Sequence, residues 1–183
     1  MWYTKIIKER KTYVKKVFTI SSLVAVVLGV LAIVLCTLPG YTLSSSVSDP
    51  INYSMFQLMF GCKVTFDSNG NQVANAGLII ALILAILGII AVVFGFLTFG
   101  NKKLKNVRAI VALVGTMCFI ATGVLFFLTK NLTGLSTGSV DVGPIISGEA
   151  SFGVGVYLTG ILAILAGICA VPGILAPMCK KCK

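Results

Sequence analysis

The chain has 183 residues, of which 57% are apolar and 11% charged, and its mean hydropathy is +1.03. That balance excludes an ordinary soluble domain and points to a membrane. The net charge is +10 and there is no histidine, which removes the commonest general base and metal ligand. The positive charges flank apolar runs, so their expected partners are lipid headgroups rather than nucleic acid.

The chain opens with "MWYTKIIKERKTYVKK", in which Trp2, Ile6, Ile7, Tyr13, Val14 and Val17 recur near helical spacing and most lysines fall elsewhere. This predicts an amphipathic basic segment over 1–16 at the membrane surface, drawn to anionic inner-leaflet lipid. Next comes "VFTISSLVAVVLGVLAIVLCTLPG", a membrane span over about 17–38 that Pro39 and Gly40 end. It reads as an uncleaved anchor: the run is long, no A-x-A site follows, and Leu35 before Cys36 does not suit a lipoprotein box.

The first loop, 39–75, carries two features. "INYSMFQLMFG" is unusually apolar and predicts a short helix or strand. It either caps the end of the helices or offers a partner surface of Met55, Phe56, Met59 and Phe60. "KVTFDSNGNQVAN" predicts a β-hairpin with Asn69-Gly70 as a type I′ turn, Ser68 opposite Asn71 and Phe66 opposite Val73. Asp67, Asn69 and Asn71 echo a calcium loop, but its glycine is misplaced and no distal glutamate follows.

Three further spans are expected over about 76–99, 109–129 and 152–175, the last with Pro172 near its end. The "GNKKLKNVR" connection makes a tight hairpin of spans two and three. The second loop, 130–151, is rich in Gly, Ser and Thr and is expected to be flexible, with "VGPII" as a short edge strand. A tail over 176–183 closes a single integral membrane domain of 1–183.

Orientation follows from the lysines and arginines. Lys5, Lys8, Arg10, Lys11, Lys15, Lys16, Lys102, Lys103, Lys105, Arg108, Lys180, Lys181 and Lys183 fall on one side, and only Lys63 and Lys130 on the other. The positive-inside rule puts both termini in the cytoplasm of a multi-pass plasma or bacterial inner membrane protein.

Within the spans, small residues recur at a heptad step: Ser22, Ala25, Gly29, Ala32 and Cys36 in the first. The second gives Ala74, Gly77, Ala81, Gly88, Ala91, Gly95 and Thr98, with Ala85 off the stripe. The fourth gives Gly153, Val156, Gly160, Ala163, Gly167 and Ala170. The third is less regular, because the bulky Phe119 interrupts Ala109, Ala112, Thr116 and Gly123. A 3.5-residue period makes a left-handed seam, and small seam residues let helices approach closely in lipid. The expected fold is therefore an all-α membrane protein: a left-handed antiparallel four-helix transmembrane bundle with a small extracellular β-hairpin in the first outer loop.

Of the six cysteines, Cys118 and Cys169 read as packers within spans. Cys62 has three open readings: a bridge to Cys36, an intermolecular pair or a free thiol. Cys179 and Cys182 form a C-terminal Cys-x-x-Cys, a weak metal or redox candidate; zinc wants four ligands, and no second pair lies outside to relay electrons.

Four spans, both termini inside and a larger first outer loop with β structure: this architecture resembles the claudin-like tetraspans. The resemblance covers the whole chain as topology alone. Claudins carry a tryptophan-rich signature and a cysteine pair in that loop, whereas here it has no tryptophan and one cysteine, Cys62, so no functional residue is carried over. It implies lateral assembly or adhesion through outer loops. The expectation is a non-enzymatic scaffold, assembly or adhesion component without cofactor, partnered by copies of itself or another membrane protein. The alternatives are a pore-forming or channel-like oligomer subunit, for which Thr116, Thr122 and Thr159 supply little polar lining, and a membrane thiol oxidoreductase.

Overall fold

The computed structural model describes residues 2–45, 49–63, 72–98, 104–133, 135, 138–141 and 147–172. Helix α1 (Trp2–Leu35) runs unbroken from the basic segment through the first apolar stretch. Three segments, Lys16–Leu35, Ala76–Leu97 and Asn106–Phe127, are long and apolar enough to cross a membrane. They belong to α1, α3 (Ala76–Leu97) and α4 (Lys105–Phe127). A fourth apolar helix, α6 (Val154–Ala170), has 17 residues, roughly 26 Å at 1.5 Å per residue.

The fourth apolar segment is thus shorter than the expected 152–175 at its start, because residues to Phe152 are spent in a strand. Gly153 begins α6 with an extended backbone and gives its N–H to the Gly40 carbonyl at 3.0 Å. The third begins earlier than expected, at Lys105, and so takes Arg108 inside the helix. Arg108 is buried, its guanidinium 5.7 Å from the centre of the Phe18 ring, a cation–π contact at the end of the molecule opposite the strands.

Helix α1 packs against α3 and α6, and α4 packs against the same two. Contacts run in opposite senses along three of these pairs: Thr116 meets Gly167 and Phe127 meets Gly160 between α4 and α6, Ala91 meets Gly115 and Ala81 meets Thr122 between α3 and α4, and Ser21 meets Cys169 and Leu38 meets Gly155 along α1 and α6. The buried positions step by threes and fours: Phe18, Ser22, Ala25, Gly29 and Ala32 in α1, and Cys36 just past its end. In α3 they are Leu78, Ala81, Ala85, Gly88, Val92 and Gly95. Ala85 therefore lies on the buried face, while Gly77 and Ala91, expected there, are half-buried. In α6, Gly160, Ala163 and Gly167 are buried as expected, and Gly155, Thr159 and Ala166 widen the stripe.

The largest departure concerns Phe119. It does not interrupt the seam of α4 but occupies its centre, with no exposed surface. A Cβ built on Gly29 would lie 2.9 Å from its ring, and one on Gly88 3.2 Å. The two glycines vacate the space that the ring fills. Thr116, Thr122 and Thr159, all buried, return their hydroxyls to helical carbonyls: Ala112 at 2.9 Å, Cys118 at 2.8 Å and Gly155 at 2.6 Å. Thr122 Oγ1 also lies 3.2 Å from the Ala81 carbonyl on α3. These hydroxyls are spent on helical carbonyls.

At the other end the two long loops form one antiparallel sheet. Strand β1 (Pro39–Ser45) pairs with β2 (Ile51–Ser54), and also with β6 (Ser147–Phe152) from the second loop, which pairs in turn with β5 (Gly138–Asp141). The second loop thus contributes two strands to this sheet. "VGPII", residues 142–146, lies outside the described residues, and β5 is an outermost strand of the sheet. A second, small hairpin joins β3 (Gly61–Lys63) to β4 (Gln72–Ala74), with Lys63 opposite Gln72. The expected hairpin is present, but an Asn69-Gly70 turn would set Asp67 against Gln72. The observed register is shifted by four residues, and residues 64–71 lie outside the described set.

Candidate interaction surface at the sheet end

"GYTLS" alternates, and the strand obeys: Tyr41 and Leu43 are buried, while Thr42 and Ser44 face the other way. Across the β1–β6 ladder Tyr41 opposes Phe152 and Leu43 opposes Ala150. The Tyr41 and Phe152 rings meet edge to face at 5.4 Å. This inner face closes over the helix ends, in one cluster with Leu78 of α3, Phe126 of α4 and Val156 of α6. On the outward face, Thr42 Oγ1 donates to Asn52 Oδ1 at 2.8 Å.

Helix α2 (Met55–Phe60) is cut from the apolar segment by a capping box. Ser54 Oγ accepts the Gln57 N–H at 3.3 Å and Gln57 Oε1 accepts the Ser54 N–H at 2.8 Å. Gly61, at φ 100°, ends it in a conformation that favours glycine. Both flanks are tied to apolar helices. The Phe56 N–H reaches the Cys36 carbonyl at the end of α1 at 3.2 Å, and the Asn75 N–H reaches the Met59 carbonyl at 3.2 Å. Asn75 also caps α3, accepting from the Gly77 N–H at 2.9 Å, and donates to the Leu132 carbonyl of helix α5 (Thr129–Thr133). The S-x-x-Q signature was readable at Ser54, as was an Asn immediately before an apolar run at Asn75.

The helix divides the expected partner surface in two. Met55 and Met59 have no exposed surface; with Leu58 they anchor the sheet-end core and offer nothing to a partner. Phe56 is half-buried and Phe60 is 63% exposed, and their rings stack at 6.4 Å with 12° between planes. Phe60, Ile51 and Asn52 are exposed here, and β2 and β5 are the two outermost strands of the sheet.

Cys36 and Cys62 are both free thiols, the first buried and the second half-buried, so the bridge is not formed. Burial pushes the Cys62 thiol above its usual value of 9.0. Burial also raises Tyr41 and Tyr53 above 10.0, with the nearby Cys62 adding to the shift of Tyr53. Cys118 and Cys169 are half-buried and free. Among the described residues no three His, Cys, Asp or Glu gather as a metal site. Cys179 and Cys182, and the calcium-like Asp67, Asn69 and Asn71, lie outside the described residues. No family model, curated protein or solved structure matches the chain.

Proposed function

We propose that the chain is a non-enzymatic four-span membrane protein whose sheet end serves as an assembly surface. In this reading α6 is the fourth span and the helices form a left-handed antiparallel bundle. The three-and-four stepping of buried residues on α1, α3, α4 and α6 supports that handedness. The lysine and arginine asymmetry supports a sheet outside and both termini in the cytoplasm, with the basic start of α1 against anionic inner-leaflet lipid.

One observation carries the reading: both loops contribute strands to one four-stranded sheet with two outermost strands, beside the exposed Phe60 stacked on Phe56. Outermost strands present backbone donors and acceptors to another chain. A second copy is the first partner this predicts. The interior, filled by Phe119, favours such a role over a pore within one protomer.

Native mass spectrometry of the protein released from lipid nanodiscs tests this. The expected mass is a multiple of the 19.3 kDa chain, and Asn52→Lys or Ser139→Lys, on the two outermost strands, reduces it to one chain. A single-chain particle would overturn the proposal. So would a ring with a central opening that passes ions in liposomes.

A further inference from the structure

At the sheet end, α4 and α6 converge and then part. They converge closely at Gly123, where a Cβ would lie 2.9 Å from the Gly160 carbonyl oxygen. One turn further along α4 the ring of Phe127 lies over Gly160, 3.1 Å from where its Cβ would be. Beyond Phe127 the chain turns into α5 while β6 leaves α6 for the sheet. Between them is a cavity of about 380 Å³, lined among others by Phe127, Lys130, Ser151, Phe152 and Tyr157. That volume falls within the roughly 300–1,000 Å³ of small-ligand sites.

Its lining is of two kinds. Phe127 and Tyr157 come from the apolar helices and are 44% and 50% exposed. They continue a surface of exposed Val124 and Ile161, which on a membrane helix faces acyl chains. Lys130 and Ser151 come from α5 and β6 and supply an ammonium and a hydroxyl. Lys130 is exposed, and no ion pair with an acid is present among the described residues. Glu149, two residues from Ser151, is exposed and is not part of the lining. A cation and a hydroxyl above two aromatic rings, at the end of a helix pair of membrane-spanning character, match one amphiphile.

We propose that this cavity binds the head of an anionic phospholipid from the leaflet on the sheet side. The phosphate sits against Lys130 Nζ and the Ser151 hydroxyl. The glycerol and upper acyl chain lie over Tyr157 and Phe127, as aromatic residues do at the headgroup level. The site belongs to one protomer and does not depend on assembly through the sheet.

The test is native mass spectrometry of delipidated protein titrated with short-chain phosphatidylglycerol, phosphatidylcholine or inorganic phosphate. The expected result is one phosphatidylglycerol retained per chain, at least about fivefold more than phosphatidylcholine, with no retention of inorganic phosphate. Lys130→Gln and Tyr157→Ala each reduce that retention about fivefold or more, the first removing the charge and the second the wall. Asn106→Ala, an exposed residue at the far end of the molecule, leaves it unchanged. Both cavity variants alter exposed side chains, and circular dichroism matching the parent's confirms that they fold. Equal retention of the two lipids, unchanged retention in either cavity variant, or equal binding of inorganic phosphate would overturn the proposal.

Discussion

The helical interior and the sheet-end core are built from different residues. Between the helices the buried positions are mostly Ala, Gly, Ser and Thr, with the ring of Phe119 at their centre. Under the sheet they are Tyr41, Leu43, Tyr53, Met55, Leu58 and Met59. The difference follows from the solvent. Lipid gives apolar side chains little reason to leave it, so helices there associate by close approach and van der Waals fit. At the sheet end water is displaced, and large apolar side chains contribute by area, about 25 cal/mol per Å² buried. One region is held by shape and the other by exclusion of water, and each should fail in its own way.

The largest effect is expected at the fit itself. Phe119→Ala empties the space beside Gly29 and Gly88, and large-to-small changes of this kind cost about 3–5 kcal/mol. Gly29→Leu is the opposite error, forcing a side chain into the ring. Each variant should unfold at lower SDS fraction than the parent. The double variant should recover part of the loss, because the two sites share one space. Additive losses would mean that the ring and the glycine do not form one joint, and the contrast between the regions would weaken.

A smaller effect tests the other region. Ser54→Ala removes the acceptor of the α2 capping box and should cost about 1 kcal/mol. Hydrogen exchange should quicken at the amides of α2 while the centres of α3 and α4 stay protected. Equal loosening of both regions would show that they open as one cooperative unit.

The smallest effect is in pH. Tyr41, Tyr53 and Cys62 hold their protons in the folded state beyond the pH at which an exposed group loses them. The unfolded state therefore ionises first, starting near 9.0 for the thiol and 10.0 for the phenols. The stability that these groups contribute is complete below those values and is lost as pH rises through the folded-state values. The thermal midpoint of the sheet end should fall across that interval, and Tyr53→Phe should flatten the slope. A slope that the variant leaves unchanged would place the loss elsewhere.

Much of the helical region was legible in the sequence, because lipid packing leaves a one-dimensional trace. The stripe of Ser22, Ala25, Gly29, Ala32 and Cys36 is buried throughout. The same rule misread Phe119, since size was judged within one helix and the matching hollows at Gly29 and Gly88 lie on two others. In α3 it misplaced Ala85, since larger Leu78 and Val92 share the buried face. The six-residue α2 is too short to display a period, so Met55 and Met59 could not be told from Phe56 and Phe60. The β1–β6 ladder joins residues more than a hundred positions apart, and no local pattern announces it. The free state of Cys62 was one of several open readings for the same reason: its neighbours are set by the fold and not by spacing.

The joint between Gly153 and Pro39 bears on how the molecule responds to load. Strand β1 leaves α1, strand β6 enters α6, and at the corner Gly153 sits so close to the Pro39 carbonyl that no side chain fits between. Only Gly153 separates β6 from α6, and only three residues separate α1 from β1. A pull on an outermost strand is passed through the β1–β6 ladder into two antiparallel helices as a shear between them. Contact at the sheet would then be felt at the far ends of α1 and α6 as a relative sliding, with the molecule acting as a lever rather than a tether.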